Sequence, residues 1–260
     1  MSKAREAILL AGGNGSRLTP FTFYTSKHLL PIDSVPMIFY PLKNLQLLGV
    51  KKTFIIINGR HSDQWEALFS QYDFGMEIVP IIQNEPLGIP AAIDLCEDMI
   101  AGKNFIVALG DNLIIASNFM NRFADLYDGG KDAIAVGFKV NDPSAFGVAN
   151  FDSAGQLLGI VEKPKDPPSD IAIVGLYKFP SSVFSEIKQL KVSPRGELEV
   201  VDLLNFYISH DNCDLLLAAS PTDYWIDTGT NDSLVRATNF VRDLKENSGI
   251  NLAQFPIKVQ

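Results

Sequence analysis

The sequence predicts an α/β protein whose largely parallel sheet is flanked by helices. Three observations carry this. Short apolar, β-branched runs alternate with longer segments of helical period over the first 110 residues, the pattern of successive βαβ units. A glycine-rich turn follows directly on the first apolar run, Ala7-Ile8-Leu9-Leu10. The chain has 260 residues, 47% hydrophobic and 20% charged, enough for one substantial core.

In order, strands are expected at 7–10, 53–57, 77–82 and 104–109, with helices at about 36–48, 62–71 and 89–100. Beyond residue 130 the texture changes. Strand-like runs at 132–140, 147–151, 157–162 and 171–179 are separated by Pro/Asp/Ser-rich turns at 141–145 and 164–170. Helices are expected at 181–190, 197–209 and 231–247. No clean linker interrupts the chain, so one domain over 1–260 is expected. Net charge is −8, which argues against a nucleic-acid surface. No apolar run reaches the 18–20 residues or so that span a bilayer, so no membrane is expected. Cys96 and Cys213 lack metal-type spacing and read as reduced core residues of a cytoplasmic protein.

The turn reads Leu10-Ala11-Gly12-Gly13-Asn14-Gly15-Ser16-Arg17-Leu18. Glycines let successive backbone N–H groups approach a ligand and cradle an anion. Arg17 adds a cationic fork suited to phosphate oxygens, and Lys27 follows ten residues later across a loop containing Pro20. A loop of that length allows both cations to meet one phosphate group. The P-loop pattern is absent, because no glycine followed by Lys-Ser or Lys-Thr occurs at the required spacing. The dinucleotide fingerprint fails too: Leu18 stands where its third small residue belongs, and Pro20 and Pro31 oppose a long helix. A polyphosphate is the natural guest, and a plain tight turn is the alternative.

Asp111 ends the run Phe105-Ile106-Val107-Ala108-Leu109-Gly110. It reads either as a Mg²⁺ ligand or as an aspartate opening a turn. Asp227 lies in Trp225-Ile226-Asp227-Thr228-Gly229-Thr230; it is a second carboxylate or a helix cap, although Thr230 or Asn231 is better placed to cap. Glu162-Lys163-Pro164 reads as a surface ion pair, and Pro194 and Glu197 as first-turn helix residues.

The opening motif, then Ser26-Lys27-His28-Leu29-Leu30-Pro31, then Pro36-Met37-Ile38-Phe39-Tyr40-Pro41-Leu42 resembles the sugar-1-phosphate nucleotidyltransferases. The likeness is greatest to the glucose-1-phosphate thymidylyltransferase group and runs to about residue 240. It implies a Rossmann-like mixed, mainly parallel sheet of the GT-A-like nucleotidyltransferase type. It implies a nucleotide-binding half over 1–111 and a sugar-phosphate half over 112–260. It implies a triphosphate held by Leu10, Gly12, Gly13, Gly15, Ser16, Arg17, Lys27 and Asp111, with Gln83 reading a pyrimidine edge and Gly88 letting the base pack closely. It places Asn112, Gly147, Glu162, Lys163, Gly175, Tyr177 and Arg195 on the sugar phosphate. Asp111 and Asp227 then hold Mg²⁺, and Arg17, Lys27, Asp111 and Lys163 are the catalytic group. The implied substrates are a nucleoside triphosphate, dTTP by likeness with UTP as the alternative, and a sugar 1-phosphate, glucose by default with an amino or deoxy sugar as the alternative; a homodimer or homotetramer is implied as well.

The chain departs from the pattern at three places. Ile89-Pro90-Ala91 stands where Leu-Ala-Gln is usual, Phe146 where tyrosine is common, and Val174 where threonine is common. Each change removes a hydrogen-bonding group expected beside a ligand. The chain also stops at Gln260, short of the longer members' C-terminal helices, which implies the form without that regulatory extension. A related glycosyltransferase and a non-catalytic nucleotide sensor are the rival readings; Mg²⁺-dependent release of pyrophosphate separates them from a nucleotidyltransferase.

Overall fold

The computed structural model describes residues 4–100, 102–115, 117–218, 220–249 and 252–258. The elements of the first half are β1 (Arg5–Ala11), β2 (Pro31–Ile32), β3 (Val35–Pro36), α1 (Phe39–Leu47), β4 (Val50–Asn58), α2 (Ser62–Gln71) and β5 (Glu77–Gln83). They continue with α3 (Ile89–Asp94), α4 (Glu97–Ile100), β6 (Phe105–Leu109), β7 (Asn112–Ile115) and α5 (Ser117–Gly129). The second half runs β8 (Ala133–Lys139), β9 (Gly147–Phe151), β10 (Leu157–Glu162), β11 (Ile171–Phe179), α6 (Val183–Ile187) and α7 (Val200–Ser209). It ends with β12 (Cys213–Ala218), β13 (Tyr224–Asp227) and α8 (Asn231–Ser248).

The chain divides into two compact units. Unit 1 is assembled from Met1–Pro86, Ala108–Ile115 and Tyr224–Gln260; unit 2 holds Leu87–Val107 and Ala116–Asp223. Membership therefore does not follow a single cut in the sequence.

Unit 1 is built on the parallel ladder β1-β4-β5. Ala7, Ile8 and Leu9 of β1 are fully buried, as are Ile55 and Ile56 of β4, which is why these strands read as continuous apolar runs. Register pairs Ala11 with Ile57 and Asn58 with Gln83. Gly12, Asn58 and Gln83 therefore emerge at one carboxyl edge, where ligands of such sheets bind. Antiparallel β7 and β13 bring Asn112 opposite Asp227. Thr230 caps α8 with a reciprocal box to Ser233, which leaves Asp227 free of capping duty.

Unit 2 is mostly antiparallel. β10-β9-β11-β8 run antiparallel in that order, and β12 joins β8 in parallel. Ile134, Val136, Ala172 and Phe179 are fully buried on its strands, as are Leu203 and Leu204 of α7. The fold is thus the mixed α/β class, with helices on the sheets.

Most expected elements form. The helix expected over 89–100 is two pieces, because a tight turn at Leu95-Cys96 interrupts it with Cys96 N–H donating to the Ile93 carbonyl. The helix expected from 197 starts at Val200. Glu197 lies in a bend and Leu198 and Glu199 are extended, since Leu198 N–H donates to the Leu87 carbonyl at 2.9 Å and Leu198 bridges Gly88 in parallel. Pro194 and Glu197 are accordingly not first-turn helix residues. Cys96 and Cys213 are free and buried, and burial pushes each thiol up to about 12.

Candidate active site

In unit 1 the glycine loop, residue 27 and the end of β6 form one corner. Gly15 has φ +63° and ends in a single 3₁₀ turn carrying Ser16 and Arg17. A Cβ at Gly15 would meet the Thr22 methyl at 2.8 Å and Lys27 Cβ at 3.0 Å, so the loop closes only on glycine. Lys27 folds back beneath the loop, its Nζ 3.7 Å from where a Gly13 Cβ would sit. There its ammonium donates to Asp111 Oδ2 in a short ion pair.

The backbone of that corner is pinned. Gly110 N–H donates to the Leu10 carbonyl at 2.9 Å, and the Asp111 carbonyl accepts from Thr228 N–H and Oγ1 at 3.0 and 2.7 Å. Asn112 Nδ2 donates to Asp111 Oδ1 at 3.1 Å while its own Oδ1 accepts from Trp225 Nε1 at 2.7 Å. Arg17 lies against Gly229: a Cβ there would be 2.6 Å from Nη2 and 3.2 Å from Asp227 Oδ2.

Electrostatics follow from this crowding. Burial alone pushes the Asp111 carboxyl up, but the Lys27 charge and the hydrogen bonds from Lys27 and Asn112 outweigh it and hold the group well below the usual carboxylate range. Burial, then Lys27, drives the His28 imidazole down to about 3; neutral at physiological pH, His28 leaves Lys27 as the cation beside Asp111. Asp227 moves the other way, raised by burial and by the Asp111 charge, with Arg17 and Lys27 opposing. Two carboxylates in mutual repulsion are a donor set that fits a small divalent cation. Among the described residues no cluster of three or more such ligands occurs, and a Mg²⁺ held through two carboxylates and phosphate oxygens does not need one. Gln83 reaches the same edge, its Oε1 2.6 Å from where a Gly12 Cβ would stand.

In unit 2 an open pocket of about 580 Å³, counting its mouth, is lined by Phe146, Gly147, Glu162, Lys163, Ile173, Tyr177, Arg195, Glu197 and Glu199 among others. Lys163 sits at φ +43°, a left-handed conformation uncommon for a residue with a side chain. Its N–H is held by the Phe146 carbonyl at 2.9 Å. Arg195 bridges three carboxylates: Glu162 at 2.8 Å, Glu197 at 2.9 Å and Glu199 at 3.5 Å. Lys163 reaches Glu162 at 3.4 Å. Burial, then the nearby Glu199 and Glu162 charges, pushes the Asp202 carboxyl up.

The expected residues thus fall into two groups. Leu10, Gly12, Gly13, Gly15, Ser16, Arg17, Lys27, Gln83, Asp111 and Asp227 share unit 1, and Gly147, Glu162, Lys163, Tyr177 and Arg195 share the unit 2 pocket. Asn112, expected on the sugar phosphate, belongs to the Asp111 corner of unit 1, its side chain bonded to Asp111 and Trp225. Gly88 lies in unit 2 at φ +102°, and a Cβ there would be 2.1 Å from the Leu198 carbonyl oxygen; close backbone approach requires glycine. Gly175 lies in β11 between Ile173 and Tyr177 and is not a lining residue, and Val174 is buried away from the pocket. Val174 therefore removes no hydrogen bond from that lining, and Ala91, where the amide is lost, is not a lining residue either, whereas Phe146 does line it. Glu197 and Glu199 were legible in the sequence only as helix-start residues. The charge alternation Arg195-Gly196-Glu197-Leu198-Glu199 was the signal available.

The fold and these two charged sites define a nucleotidyl transferase: the chain belongs to the nucleotidyl transferase family, whose profile matches residues 6–244. It is an enzyme of that class. The glucose-1-phosphate thymidylyltransferase of Xanthomonas campestris pv. campestris is 39% identical over 256 residues, covering 95% of this chain and 84% of the relative. That of Mycobacterium tuberculosis is 33% identical over 252 residues, covering 95% and 86%. A Bacillus anthracis protein assigned as a glucose-1-phosphate thymidylyltransferase, solved with sucrose, superposes with TM-score 0.85 at 36% identity, covering 96% of this chain and 98% of that one. UDP-glucose pyrophosphorylase bound to UDP-glucose shares the fold at TM-score 0.83 and 22% identity, covering 93% and 99%. Among the described residues no helix is long and apolar enough to cross a membrane.

Proposed function

We propose that this enzyme transfers a nucleotidyl group from dTTP to glucose 1-phosphate, forming a nucleotide sugar and pyrophosphate. An oxygen of the sugar phosphate attacks the α-phosphorus in line, the bond to the β-phosphate oxygen breaks, and the leaving electron pair departs with pyrophosphate. No covalent enzyme intermediate is needed, so the protein's work is alignment and neutralisation.

The observation that carries this reading is the unit 1 corner, where Lys27, Arg17, Asp111 and Asp227 are gathered around a glycine loop. Arg17 and the loop N–H groups suit the departing phosphates and Lys27 suits the α/β region. Asp111 and Asp227 would hold Mg²⁺, which when bound supplies charge neutralisation of the triphosphate. Lys163 and Arg195 suit the phosphate of the attacking sugar, and Glu162 its hydroxyls. Gln83 both donates and accepts, as a pyrimidine edge requires. The names of the relatives support thymidine and glucose as the particular substrates.

The test is a matrix of dTTP, UTP, CTP and ATP against glucose, galactose, glucosamine and 6-deoxyglucose 1-phosphates, read by pyrophosphate release with and without EDTA. Mg²⁺-dependent release that is greatest for dTTP with glucose 1-phosphate is expected. Release of nucleoside diphosphate from a ready-made nucleotide sugar, or no turnover in any cell of the matrix, overturns the reading.

A further inference from the structure

Behind the glycine loop of unit 1 lies a second polar crevice, which shares only Gly13 with the residues read above as holding the triphosphate. We propose that it is an anion site for a phosphate group, with Arg60 as its cation. Gly13 and Asn14 form one wall, and Asn58, Arg60 and His61 the other. The second wall is the single 3₁₀ turn Gly59–His61 that follows β4 at the ligand-binding edge of the parallel ladder.

One side chain ties the two walls together. Asn58 Oδ1 accepts from Arg60 N–H at 2.9 Å while its Nδ2 donates to Asn14 Oδ1 at 3.0 Å. The turn bearing Arg60 is thereby fixed against the loop, so the site is built before any ligand arrives. Every lining residue is polar or glycine, and no carboxylate is among them. Among the described residues, the Arg60 guanidinium and the His61 ring have no hydrogen-bond or ion-pair partner within the protein. The Thr22 and Thr25 hydroxyls on the lining already donate, to the Gly15 carbonyl and to Gln64 Oε1, so the donors left are Arg60 and His61; in a chain of net charge −8, a guanidinium that pairs with no carboxylate, beside an imidazole, is complementary to an anion rich in acceptors. Arginine's planar fork matches the oxygens of phosphate.

Two sources supply that chemistry: the terminal phosphates of the bound triphosphate, or free phosphate. The first source rests on the nucleotidyl-transfer reading; the second does not. Calorimetric titration of the wild-type enzyme, R60A and R60K with inorganic phosphate, inorganic pyrophosphate, dTTP and dTMP separates them. Removing one charge-assisted contact weakens binding by about tenfold. If the terminal phosphates occupy the crevice, R60A weakens pyrophosphate and dTTP by about that factor, leaves dTMP unchanged, and R60K restores part of the loss. If free phosphate occupies it, R60A weakens inorganic phosphate alone. Unchanged binding of all four probes in R60A, with circular dichroism matching wild type, overturns the proposal. Failure of the catalytic reading looks different: the wild type then releases no pyrophosphate with any sugar phosphate, whatever R60A does to binding.

Discussion

The two units hold the same kind of interaction at very different depths. In unit 1 the Lys27 and Asp111 side chains are only 13% and 15% exposed, and the backbone around them is pinned at both carbonyl and amide. In unit 2 the Arg195 side chain is 40% exposed and divides its donors among three glutamates. A buried pair is costly to break, because the remaining charge is left without water. An exposed pair is worth about 0–1 kcal/mol and exchanges readily for another anion. The difference teaches that unit 1 presents a prearranged charge corner, whereas in unit 2 any anion reaching Arg195 must compete with three protein carboxylates for it.

The largest effect is expected at the buried corner. Asp111→Asn should lower turnover by about 10²–10³-fold while leaving the circular dichroism spectrum unchanged; full turnover in this variant breaks the contrast at its stronger end. Next, Arg195→Ala should raise KM for the sugar phosphate by about 10–100-fold. The KM for the triphosphate should barely move, and an equal rise in both would show that the units do not divide recognition as argued. Gly88→Ala should reach the unit 2 site through its frame. Its Cβ has nowhere to go beside the Leu198 carbonyl, and strain of about 2–4 kcal/mol should lower the melting temperature in calorimetry by several degrees. Smallest, and opposite in sign, Glu197→Gln removes one competitor for Arg195. It should lower KM for the sugar phosphate by about 2–5-fold; an increase would mean that Glu197 serves the ligand rather than opposing it.

Much of this was legible residue by residue. Continuous apolar runs announced β1, β4 and β5, since strands buried on both faces carry no alternation. Glycines announced a tight loop after β1, because backbone requirements are local, and Lys27 does fold back against it. That Thr230 or Asn231 rather than Asp227 would cap α8 followed from spacing, and the structure chooses Thr230. The extended course of Leu198 and Glu199 was not legible, because it is set by pairing with Leu87 and Gly88 more than a hundred residues away. Val174's place away from the pocket follows the two-residue alternation of β11, in which Ile173 and Tyr177 line the pocket and Val174 does not.

The sequence by itself determined the α/β class, the glycine turn and the kinds of residue that would carry charge, because each depends on neighbours within a few positions. Only the tertiary structure decided which charges meet. Lys27 against Asp111, Arg17 beside Asp227, three glutamates on Arg195 and Asn58 clamping Arg60 to the loop are contacts between distant or differently turned segments. Coulomb energy depends on separation and local dielectric, and neither is written in the order of the residues.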